Sequence, residues 1–146
     1  MVSRSAEIIK LTFGVVLLLT SGCFWRSYGH QLATHTELLV EMARKGADLV
    51  GAGRLTAESL PELTYPYERA LAYAVMAHAR VASAAPASLG AFDALLARYR
   101  EFIDTLDRVR RAERGEAATA ALAGSLTAVE AAGKAVHDAL RTERGG

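Results

Sequence analysis

The chain has 146 residues, a formal net charge of +1 and one cysteine, and 51% of its residues are hydrophobic while only 7% are aromatic. This hydrophobic fraction is too high for a disordered tail, and one cysteine excludes a scaffold of internal disulfides. A nearly neutral chain also argues against nucleic acid as a partner. Abundant alanine with few β-branched residues favours a single small all-α domain.

The first 22 residues have the three regions of a secretion signal. Arg4 and Lys10 supply positive charge, an apolar run reaches Leu19, and three small residues follow: Thr20, Ser21 and Gly22. The apolar run has about ten residues, whereas a membrane-spanning helix needs about 20. We therefore predict a signal peptide over residues 1–22 rather than a permanent transmembrane helix.

The segment Leu19-Thr20-Ser21-Gly22-Cys23 resembles the lipobox of bacterial lipoproteins, with Thr20 at the position where that class most often has leucine. In this class the cysteine becomes the mature N-terminus and carries acyl chains. The resemblance therefore implies that Cys23 is lipidated and anchors the protein to a membrane of the cell envelope. Phe24 is not the aspartate associated with inner-membrane retention, which implies the outer membrane, facing the periplasm, if the source is Gram-negative. The implied organisation is a signal peptide (1–22), the lipidated cysteine with a short tether (23–29) and a helical domain (30–146).

Two helices are predicted in the first part of the mature chain. The first runs from Tyr28 to about Val50, stops at Gly51 and Gly53, and has an inward stripe with three- and four-residue steps: Leu32, His35, Leu39, Met42, Gly46 and Leu49. The second follows a loop or helical turn with Pro61 and Pro66, where Ser59 and Glu62 have the spacing of a capping box, and it closes at Pro86. Its predicted inward stripe is Tyr67, Leu71, Ala74, His78, Val81 and Ala85.

Two further helices are predicted in the remainder. The third has Ser88 as its N-cap and the strongest stripe in the chain: Leu89, Phe92, Leu96, Tyr99, Ile103 and Leu106, widened by Leu95, Phe102 and Val109. The fourth has a stripe of Leu122, Leu126, Val129, Gly133, Val136 and Leu140. Continuing the third stripe misses the apolar residues of the fourth, so we predict a turn between Arg114 and Glu116.

Four helices with short connections predict an up-down-up-down four-helix bundle, with a three-helix core and one loose terminal helix as the alternative. In this topology the start of the first helix lies at the end near the membrane, and segments 51–66 and 108–116 lie at the far end. Phe24, Trp25 and Tyr28 are suited to the lipid headgroup zone.

One candidate site is a layer near the membrane end that contains three histidines and an aspartate: His35, His78, His137 and Asp93. Each lies about 8–10 Å from a helix end if the bundle forms as predicted. Imidazole and carboxylate groups converging inside a bundle could hold a metal ion or haem. The alternative is that the buried histidines only hydrogen-bond to neighbours. The sequence contains neither a Cys-x-x-Cys-His nor a His-Glu-x-x-His motif.

A second candidate site lies at the far end, where Tyr65 could meet the arginines Arg108, Arg110, Arg111 and Arg114. Tyrosine and arginine are enriched at protein interfaces, and arginine also binds the carboxylates or phosphates of an envelope polymer. The alternative is a solvated helix end in which the arginines pair with nearby carboxylates.

Two functional hypotheses remain from the sequence. A Gly-x-Ser-x-Gly elbow and a phosphate-binding loop are both lacking, so we do not expect an enzyme. The first hypothesis is a small envelope lipoprotein whose bundle serves as a protein-interaction or scaffold module for an envelope protein or cell-wall partner, without a cofactor. The second is a metal- or haem-binding bundle, which requires His35, His78 and His137 to converge.

Overall fold

Four α-helices make up nearly all of the described chain in the computed structural model: α1 (Ser3–Gly51), α2 (Ser59–Val81), α3 (Ala87–Arg111) and α4 (Glu116–Gly145). The structure describes the backbone of residues 3–81, 83–112 and 115–146, and the side chains of those ranges from residue 24 onward. The predicted all-α fold with four helices is confirmed, and these ranges contain no strand.

The chain divides into two compact units, residues 1–31 and 32–146. In the first unit, α1 includes residues 24–29, so the segment predicted as a tether ahead of the first helix is itself helical. The lipobox and Cys23 lie outside the residues whose side chains are described.

The helices of the second unit form the predicted up-down-up-down bundle. Consecutive helices run antiparallel, because moving forward along one helix moves the contact backward along the next. Five pairs show this: Lys45 with Glu62 and His35 with Tyr73 for α1 and α2, Tyr67 with Tyr99 and His78 with Asp93 for α2 and α3, and Ser88 with Glu143 for α3 and α4. Arg44 and Glu130, 2.7 Å apart, join α1 to α4 and close the ring of helices.

The inward face of α3 supplies the largest side chains of the core. Phe92, Tyr99 and Phe102 are fully buried, and the Tyr99 hydroxyl donates a 2.6 Å hydrogen bond to the backbone carbonyl of Leu63 in α2. Burial also raises the pKa of Tyr99, so the hydroxyl keeps its proton. The predicted α3 stripe is buried throughout except at Ile103, which is half-buried.

The start of α3 is capped by a carboxylate from another helix. The predicted N-cap, Ser88, is instead inside the first turn, and the N-cap is Pro86, which has no side-chain oxygen to offer. The backbone N–H of Ser88 donates a 2.9 Å hydrogen bond to Glu143 near the end of α4. The Glu143 carboxylate thus supplies an acceptor for one of the first N–H groups of α3, which have no acceptor within the helix. It also places negative charge at the positive end of the α3 dipole.

Helix α2 begins earlier than the second stripe predicts and includes both prolines. Glu62, the second member of the predicted capping box, pairs with Lys45 of α1. The Ser59 hydroxyl instead accepts a 3.3 Å hydrogen bond from the backbone N–H of Thr56, three residues upstream. At its other end the chain turns through Ala85, which has a positive φ of 36° directly before Pro86.

Two glycines let α1 pack closely against its neighbours. A Cβ atom added at Gly46 would lie 2.9 Å from Leu106 Cδ1, and one added at Gly133 would lie 2.7 Å from Val40 Cγ2. Both glycines lie on the predicted inward stripes. The C-terminal stop of α1 is also confirmed: Gly53 has a φ of 68°, and the N–H groups of Gly53 and Arg54 donate to the carbonyls of Val50 and Leu49.

Candidate functional site

The four residues of the predicted histidine layer do not converge. His78 and Asp93 are 2.7 Å apart (Nε2 to Oδ2), but both side chains are about half exposed on the outside of α2 and α3. The His35 ring instead lies against Tyr73, with ring centres 5.2 Å apart, while His137 lines a groove between α1 and α4. Among the described residues, no three histidine, cysteine, aspartate or glutamate side chains are arranged to hold a metal ion.

The surroundings of His35 predict that the stability of the bundle depends on pH. Burial, and then the positive charge of Arg69, hold the pKa of His35 below its usual value. The unfolded chain therefore binds a proton at His35 more readily than the folded chain. We expect the free energy of unfolding to fall as the pH drops below about 6.5, the unfolded value, towards the lower folded value.

This prediction is checked by thermal denaturation across the pH range, comparing the native chain with His35→Gln. The difference in melting temperature between them should change between about pH 6.5 and 5. The carboxylates of Asp107 and Asp138 also have lowered pKa values, because of hydrogen bonds from Arg110 and Lys134, but their effect is expected only below about pH 4. A constant difference between the two chains from pH 7 to 5 would contradict a role for His35.

The arginines predicted at the far end are engaged with groups of their own helix. Asp107 lies 2.8 Å from Arg110 and 2.7 Å from Arg111, and Arg108 donates a 3.1 Å hydrogen bond to Thr105. In the segment before α2, hydrogen bonds from its own backbone N–H and from Thr56 lower the pKa of Glu58, and the charge of Arg110 adds a smaller lowering. Arg114 lies outside the described residues.

Tyr65, the remaining residue of that candidate site, points to solvent from α2. The residue is 58% exposed, and the cation over the face of its ring is Arg69 of the same helix, 5.9 Å from the ring centre. Tyr65 therefore belongs to the exposed surface of α2, where it borders a groove with Pro61 and Glu68.

The outer face of α2 is the most unusual surface of the bundle. Three large apolar side chains on it are open to solvent: Leu71 is 42%, Val75 is 65% and Met76 is 41% exposed. Ala72 and Ala79 lie on the same side of the helix and are also exposed. We refer to Leu71, Ala72, Val75, Met76 and Ala79 as the outer face of α2. It carries no charge, whereas the outside of α3 is covered by charged side chains such as Arg98, Arg100 and Glu101.

The predicted stripe of α2 missed this face because it placed Leu71 inward. Ala74, Val81 and the half-buried Tyr67 do face the core, but Leu71, His78 and Ala85 are exposed. Three of the six buried residues of α2 are alanines; the six are Leu63, Pro66, Ala70, Ala74, Ala77 and Val81. Small side chains let α2 approach the bulky rings of α3 closely, so the larger residues of α2 are left outside. The sequence does contain this second stripe, because Ala70, Ala74, Ala77 and Val81 also follow one another at three- and four-residue steps.

A groove of about 600 Å³ lies between α1 and α4. Its walls carry both signs of charge, and its basic residues are paired: Arg44 with Glu130, and Lys134 and Arg141 with Asp138. The described lining of the groove therefore offers an anionic ligand no unpaired lysine or arginine, and we take the outer face of α2 as the stronger candidate for binding.

The chain matches no family model, no curated protein and no solved structure in the comparisons made with each. No helical stretch in the described part of the chain combines the length and the hydropathy needed to cross a bilayer. The four packed helices define the protein as a four-helix bundle. Its candidate site is the outer face of α2.

Proposed function

We propose that this protein is a non-enzymatic lipoprotein of the bacterial cell envelope, and that its bundle binds another protein through the outer face of α2. The observation that carries the binding role is the exposure of Leu71, Val75 and Met76 side by side on one helix. Contiguous exposed apolar surface on a soluble domain is typical of interaction sites, whereas single exposed apolar residues are common everywhere.

Attachment through Cys23 is supported by the residues that follow it. The rings of Phe24 and Tyr28 both contact Trp25, with ring centres 5.7 and 5.3 Å away, and Trp25 is 43% exposed. Aromatic side chains of this kind settle in the headgroup zone of a bilayer. Acyl chains on the neighbouring cysteine would bring Trp25 to the membrane surface, whereas Tyr28, also predicted to face the headgroups, is buried.

Cys23→Ser is expected to abolish membrane anchoring. Each CH₂ group of an acyl chain contributes about 0.8 kcal/mol to membrane binding, so losing two or more chains removes stable attachment. The variant should remain unprocessed, or should be soluble after ordinary signal cleavage. Metabolic labelling with a fatty acid, electrophoretic mobility and detergent partitioning measure this directly. Labelling and partitioning equal to those of the native protein would exclude a lipid anchor at Cys23.

The binding role of α2 is tested in intact cells with a photo-cross-linking residue at position 75. Position 97, on the exposed side of α3, is the matched control because both sites are solvent-exposed helix positions. We expect a discrete cross-linked product from position 75 and none of the same size from position 97. Equal products, or none from either position, would contradict binding through α2.

A further inference from the structure

We draw no further inference here: the strongest candidate, the uncharged outer face of α2 with Leu71, Val75 and Met76 exposed, is already the site of the proposed binding role, and nothing in the structure shows what covers it.

Discussion

Replacing Phe102 with alanine is expected to destabilise the bundle more than any other single truncation considered. Phe102 is fully buried, its ring centre lies 6.1 Å from that of Tyr99, and its edge faces Gly46 across the contact between α1 and α3. Removing a buried phenylalanine ring costs about 3–5 kcal/mol, because the lost apolar contacts and the remaining cavity both lower stability.

Chemical denaturation with Arg100→Ala as the control measures this effect. Arg100 is exposed on the outside of the same helix, two residues before Phe102, and its loss should change the free energy of unfolding by less than about 0.5 kcal/mol. Similar losses for both variants would mean that the inward face of α3 is not the one in the structure.

The second large effect is expected at Gly133, where adding one methyl group should destabilise the protein. In the interior of a helix, glycine to alanine normally stabilises by about 0.5–1 kcal/mol. At Gly133 the new Cβ atom would lie 2.7 Å from Val40 Cγ2, so α1 and α4 must separate or Val40 must move. Overpacking of this kind costs about 1–3 kcal/mol, which exceeds the gain in helix propensity.

Gly124 in the same helix is the matched control. A Cβ atom added there has nothing within 4 Å, so Gly124→Ala should raise the melting temperature while Gly133→Ala lowers it. Adding Val40→Ala to Gly133→Ala should recover part of the loss, because the smaller side chain gives the new methyl group room. Changes of the same sign at both glycines would argue against the close approach of α1 and α4.

The sequence predicts the inward face of a helix correctly when only one side of that helix has apolar residues at helical spacing. In α3 the large apolar residues and the charged residues occupy opposite sides, so a single inward face is possible and the predicted stripe is correct apart from the half-buried Ile103. In α2 both an alanine stripe and a stripe with leucine, valine and methionine have helical spacing. Local periodicity does not decide between them, since the choice depends on the size of the rings that α3 presents.

Contacts between distant parts of the chain also could not be predicted from the sequence. The cap on α3 comes from Glu143, which is 55 residues from Ser88, so no pattern near the start of α3 could reveal it. The histidine layer was inferred from distances along the helix axes, which fix the height of a residue but not its direction. His78 and Asp93 are at the predicted height and do meet, whereas His35 and His137 point elsewhere.

The ring of helices also has a consequence for the order of folding. α2, α3 and α4 each pack against the helix before them in sequence, but α1 and α4 meet through Arg44 and Glu130, which are 86 residues apart. Closing so long a loop costs more chain entropy than forming each helical hairpin, so we expect this contact to form after the rate-limiting step. Variants at Val40 and Gly133 should then accelerate unfolding and leave the refolding rate nearly unchanged, whereas Phe102→Ala should slow refolding.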